Sequence, residues 1–134
     1  MFDSQPQQPI PDEVDDIARM AVDAAYRVHS ALGPGLLERV YEVCLAHELR
    51  KRGLTVETQV DLPVIYDGIR LDAGMRVDLR VDGRLLIELK AVEMMHSVHK
   101  AQLLTYLKLT GHRLGLLINF NVPLIRDGIE RLAL

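Results

Sequence analysis

Asp78, Glu88 and Lys90 have the residue types and the spacing for phosphate chemistry. Two carboxylates held close together are costly to keep ionised unless something neutralises them. A hard divalent cation does this, because Mg²⁺ takes oxygen ligands in near-octahedral geometry, typically one or two carboxylates with water and substrate phosphate completing the shell. Such an ion lowers the pKa of a bound water and stabilises charge on a transferring phosphoryl group. Lys90, two residues beyond Glu88 and on the same strand face, is placed to orient that water or to hold a phosphate oxygen.

Whether the two acids meet depends on the stretch that carries them, Arg76 to Lys90, which reads R-V-D-L-R-V-D-G-R-L-L-I-E-L-K. Val77, Leu79, Val81, Leu85, Ile87 and Leu89 form an unbroken apolar set of odd positions, while the even set holds Asp78, Glu88 and Lys90. Such alternation marks two half-buried strands. A two-residue type I′ loop at Asp82-Gly83 would pair Val81 with Arg84 and turn one apolar set away from the core. An odd loop, such as a type I turn with Gly83 in a G1 bulge, keeps both apolar sets on one face. The pattern therefore selects the odd loop, and with it Asp78, Glu88 and Lys90 share the other face.

The remaining elements must position this hairpin. Met1 to Pro11, rich in Gln and Pro, reads as a disordered tail, and residues 12–134 as a single domain. From Asp12, taken as an N-cap, Val14, Ile17, Ala21, Ala25, Val28 and Leu32 recur at helical spacing until Gly33-Pro34-Gly35. A second helix runs from about Leu36 to Arg52 with Leu37, Val40, Tyr41, Cys44, Leu45 and Leu49 inward, so that Glu38 lies along the edge of its buried stripe. Val56, Thr58 and Val60 alternate with polar residues as in a strand, and Leu62 to Tyr66 turns through Asp67-Gly68 toward Ile69 to Asp72 as a hairpin. After the Arg76 to Lys90 hairpin, Ser97 caps a third helix that ends before Gly111, with Val98, Gln102, Tyr106 and Leu109 on one face. Leu114 to Phe120 is apolar enough for a strand covered on both faces, and Leu124 to Leu134 reads as a short strand or hairpin. The order ααββββαββ, without internal repeat, implies an α/β (α+β) fold, a mixed sheet flanked by helices.

Composition narrows the function classes. The chain has 134 residues and a net charge of −3, which gives no general attraction to nucleic acid, so any such binding needs a local basic patch, a dimer groove or metal ions. Cys44 is the single cysteine, so an intramolecular disulfide is excluded and a reducing, cytoplasmic compartment is expected. The sequence carries neither a signal peptide nor a run of about 18 apolar residues, and no membrane role is expected.

The run Gly35-Leu36-Leu37-Glu38-Arg39-Val40-Tyr41 matches a G-x-x-E-x-x-Y signature, and Asp78 with Glu88-Leu89-Lys90 resembles the D…(E)xK core of the PD-(D/E)XK nucleases. Together with the segments GPGLLE, ELKAVE and LLINFN, the chain from about Ile17 to Leu132 resembles the small bacterial GxxExxY proteins of that superfamily. Val77 stands where the Pro of the family name would be, a departure many members share. The resemblance implies a restriction-endonuclease-like αβββαβ core and a nuclease acting on DNA or RNA with Mg (or Mn). It further implies Asp78, Glu88 and the Leu89 carbonyl as metal ligands, Lys90 as catalytic, Glu38 as an additional acid near the metal, and Gln102 with Tyr106 as a Q-x-x-x-Y element beside the site.

Plainer readings stand beside these. The even residues of the hairpin can be a solvated strand face, Glu38 a first-turn residue favoured by the helix dipole, and Tyr41 and Tyr106 core packers with hydroxyls at the boundary. His96 and His99 lack a Cys partner and read as surface or substrate-contact residues rather than zinc ligands; His29 reads as a satisfied helix-end histidine, and Cys44 as a buried small hydrophobe. The competing function is a catalytically silent nuclease-fold module that binds nucleic acid or a protein partner, with a homodimer as a further possibility.

Overall fold

The computed structural model describes residues 8–134. Three helices, α1 (Asp12–Leu32), α2 (Glu38–Lys51) and α3 (Ser97–Thr110), accompany five strands, β1 (Val56–Tyr66), β2 (Ile69–Val81), β3 (Leu85–Lys90), β4 (Leu114–Asn119) and β5 (Ile129–Ala133), with one 3-10 turn at Ile125–Gly128. The strands form one mixed sheet in the order β1-β2-β3-β4-β5. Only β3 and β4 are parallel, as they must be when α3 carries the chain between them. The run α2-β1-β2-β3-α3-β4 gives the expected αβββαβ core, extended by α1 before it and β5 after it.

Leu62 and Val64 flank a register shift rather than a turn, so β1 runs through Pro63. Proline is tolerated there because β1 is an edge strand, with no neighbour to require its missing N–H. β2 likewise runs unbroken from Ile69 to Val81, and three strands rather than four precede α3.

The sheet is covered on both faces. One core gathers Val14, Ile17, Ala21, Ala25 and Val28 of α1 and Tyr41, Leu45 and Leu49 of α2 against Leu79, Val81, Leu85, Ile87 and Leu89. The other packs Leu103, Tyr106 and Leu107 of α3 against Met75, Val77, Leu86 and Leu117. β3 is therefore buried on both sides and not half-buried as alternation suggested. Val77 also leaves the odd set for the α3 core, so β2 turns its faces over at Asp78. The segment expected as a tail falls outside the described residues up to residue 7; beyond it, Ile10 packs against the first core.

Two helix readings change. On α2, Leu37 is 77% exposed and Val40 and Val43 are also exposed, whereas Glu42 is buried beside Tyr41, Leu45, Ala46 and Leu49. The helix is rotated by part of a turn from the apolar stripe because Tyr41 stacks flat on Phe120, with ring centroids 4.6 Å apart. On α3, Val98, Gln102 and Leu109 are exposed, and Leu103, Tyr106 and Leu107 face the sheet. Ser97 is the first helical residue and His96 the N-cap; Pro11 takes the corresponding place before Asp12 on α1.

Candidate functional site

The β2–β3 loop has three residues: Val81 pairs with Leu85 and Leu79 with Ile87, so the odd length required by the alternation is present. Its conformation differs from a type I turn, since Asp82 and Gly83 both have positive φ, 50° and 66°. Asp82 is held there by Thr55, whose N–H and Oγ1 both donate to Asp82 Oδ1 at 2.8 Å. The left-handed conformation of Asp82 is thereby offset by two hydrogen bonds from Thr55, the residue just before β1.

The register carries Asp78 and Glu88 opposite each other, but the ladder stops one pair short, at Leu79 and Ile87. From there the strands fork, and side chains replace the backbone acceptors. The Asp78 N–H donates to Glu88 Oε1 at 2.8 Å, and the Leu89 N–H donates to Asp78 Oδ2 at 2.8 Å. Because a strand residue's N–H and C=O point the same way, the Leu89 carbonyl faces the fork. Lys90 continues the ladder with β4 through its own carbonyl, which accepts the Phe120 N–H at 2.9 Å.

The electrostatics follow from this crowding. Glu88 is only 6% exposed, and burial first, then the Asp78 charge, pushes its carboxyl up to about 7, against the opposing Asp78 N–H and Lys90. Glu38, the first residue of α2, is solvent-accessible. Partial burial and then the charge of Asp78 raise its carboxyl above the usual range, while Lys90 pulls it back. Lys90 itself lines a cleft of about 510 Å³ with Val98, His99, Ala101, Gln102 and Thr105. Five of the expected positions, Asp78, Glu88, Leu89, Lys90 and Glu38, thus lie at or around the fork, and Gln102 joins through the cleft. Tyr106 is buried behind it.

A raised Glu88 sets a pH dependence. The folded protein holds this proton more tightly than the unfolded chain, so Glu88's contribution to stability is fully present below pH 4.5 and is lost as pH rises through about 7. The expected loss is about 3 kcal/mol, since each tenfold change in proton affinity is worth roughly 1.4 kcal/mol. Glu88→Gln should remove that slope, so that urea unfolding at pH 5 and pH 8 separates the two proteins in the metal-free state. Parallel curves would show that Glu88 ionises normally.

Sequence reading missed three residues here. Gln59, in β1, donates from Nε2 to Asp78 Oδ1 at 3.0 Å and also to Glu42 Oε1. Glu42 is 4% exposed and was hidden in the sequence by the apolar reading of α2. Its only signal was a carboxylate one turn beyond Glu38. Asn119 was also unread. Its amide donates to the Val92 carbonyl and accepts from the Val92 and Asn121 N–H groups, fixing the loop that leaves Lys90. His29, as expected of a helix-end histidine, bonds the Val122 carbonyl at 2.7 Å. His96 and His99 meet at the start of α3, where the His96 N–H donates to His99 Nδ1 at 3.4 Å. Cys44 is partly buried, packed against the first core.

The donors at the fork, two carboxylates and a backbone carbonyl, are all oxygen, which suits a hard divalent cation and not a soft one. Each carboxylate oxygen also keeps a lone pair beyond its present hydrogen bond. Among the described residues no three His, Cys, Asp or Glu side chains gather as a metal site. Glu38 therefore does not gather with Asp78 and Glu88 as a third acid in this geometry, and a cation held by the two would draw its other ligands from the Leu89 carbonyl, water or substrate.

A mixed sheet in the αβββαβ order with acids at the β2–β3 fork defines a restriction-endonuclease-like fold. The chain matches the family model of the PD-(D/E)XK nuclease superfamily over residues 15–132 and belongs to that superfamily. Its members generally use divalent metal ions, and the superfamily implies a nucleic-acid substrate. No curated protein and no solved structure matches the chain. No helix among the described residues is long and apolar enough to cross a membrane.

Proposed function

We propose that this protein is a Mg- or Mn-dependent phosphodiesterase acting on DNA or RNA in the cytoplasm. The observation that carries the reading is the fork itself, where Asp78 and Glu88 exchange hydrogen bonds with each other's strand and Lys90 follows on the same edge. Asp78, Glu88 and the Leu89 carbonyl hold the cation, which would supply a Lewis acid and a water of lowered pKa. Lys90 orients that water or carries a phosphate oxygen, and its charge offsets the two acids. Glu38, whose carboxyl feels the charges of Asp78 and Lys90, would exchange a proton with the same water. Gln102 and His99 line the cleft beside Lys90 and contact the phosphodiester backbone that enters it.

A crystal soaked in Mn²⁺ should show anomalous density between Asp78 and Glu88, and purified protein with Mg²⁺ or Mn²⁺ should cleave nucleic acid that it leaves intact in EDTA. Absence of density at millimolar Mn²⁺ would remove the proposed site.

One observation favours a binding module instead. The end of the β1–β2 hairpin exposes Ile65, Tyr66, Ile69 and Leu71, more apolar surface than a free hairpin tip needs. A module of that kind, whether bound to nucleic acid, to another protein or to a second copy of the chain, would bind equally well in EDTA and after Lys90→Ala.

A further inference from the structure

Gln59 stands opposite Asp78 in the β1–β2 register, between the pairs Thr58–Leu79 and Val60–Val77. Its φ is 51°. Among the described residues the other two non-glycine residues with positive φ, Asp67 and Asp82, are in hairpin turns, where such a conformation belongs. Inside a strand it is unfavourable for any residue with a Cβ, and it persists only where the surroundings over-determine it. At Gln59 the surroundings are two carboxylates. Nε2 donates to Asp78 Oδ1 at 3.0 Å and to Glu42 Oε1 on α2, and Glu42 is itself buried and paired with Arg39 Nη1 at 3.2 Å.

An amide nitrogen carries two N–H bonds, and here each goes to a different acid. Turning the amide over would set its carbonyl against two carboxylate oxygens, so its orientation is unambiguous. Asp78 is thereby held at both ends, Oδ1 by Gln59 and Oδ2 by the Leu89 N–H at 2.8 Å.

We propose that Gln59 is a positioning residue: its carboxamide, clamped by Glu42, fixes the orientation of the Asp78 carboxylate at the fork, where that carboxylate would hold a divalent cation. The role rests on the metal-dependent reading above. It links the framework of α2 to the metal edge of β2, and the unfavourable backbone at Gln59 is what aims the side chain across the strand.

Gln59→Gly suits the positive φ and keeps the fold while deleting the bridge, and Gln59→Leu keeps bulk while deleting the donors. Each full-length protein is titrated with Mn²⁺ alone by calorimetry, and the exchange rate of the Leu89 amide is read by NMR without metal. Both variants should bind Mn²⁺ roughly tenfold or more weakly than wild type, and Leu89 should exchange faster in Gln59→Gly at an unchanged unfolding midpoint. Mn²⁺ affinity within twofold of wild type in both variants overturns the role, whatever the exchange shows. If the wild-type protein takes up no Mn²⁺, the metal-dependent function falls and this role with it; if only the variants match wild type, Gln59 alone is at fault.

Discussion

Lys90→Ala is expected to lower metal-dependent cleavage of nucleic acid roughly 100- to 10,000-fold, the range for losing a positioned proton-handling group, with little change in stability. The separation arises because the structural work at this position belongs to the backbone, whose carbonyl receives the Phe120 N–H. The side chain is half-buried in the cleft with His99 and Gln102 and makes no ion pair with the acids. Its charge also lowers the proton affinity of Glu38 and Glu88. Removing it should therefore raise both, and the acid limb of any residual activity should move to higher pH. Cleavage of labelled DNA and RNA strands across pH 6 to 9, with Mn²⁺ affinity measured in parallel, tests both parts. Wild-type cleavage by Lys90→Ala would take Lys90 out of the mechanism.

Tyr41→Ala is expected to destabilise the fold by about 3–5 kcal/mol, the usual cost of truncating a fully buried aromatic. The ring is completely buried and stacked on Phe120. Its hydroxyl donates to the Gly33 carbonyl at 2.6 Å and accepts the Leu36 N–H at 3.1 Å, closing the loop that delivers Glu38 to the first position of α2. Gly35 in that loop has φ 98°, a conformation closed to most other residues. Tyr41→Phe keeps the stack and strands those two backbone groups, so its cost should be about 1–3 kcal/mol. Urea unfolding of the two variants separates ring from hydroxyl. An Ala variant as stable as wild type would show that the stack does not seat the helix.

These residues also show why the sequence was legible in some places and opaque in others. Asp78, Glu88 and Lys90 stood out because period-two alternation around them leaves an odd loop as the way to keep the apolar sets together, and that loop is present. Glu38 and Tyr41 stood out by their spacing on one helix face, and Gly35 with them through the resemblance to the G-x-x-E-x-x-Y signature. Signals of this kind are local, and a local pattern survives whatever packs around it.

Glu42 and Gln59 gave no such signal, since a glutamate on a helix and a glutamine in a strand are ordinary until α2 is seated against β1. The rotation of α2 that exposes Leu37 and buries Glu42 follows from a stack with Phe120, a residue far along the chain. In the same way Val77 changes face because β2 must serve the α3 core before the fork and the α1–α2 core after it. Residue order was enough to define the three helices, most of the strands, the odd turn and the acidic pair with its lysine. The fork, its Gln59 bridge to Glu42 and the raised proton affinity of Glu88 came from tertiary packing, because desolvation and contact between distant segments depend on which surfaces meet.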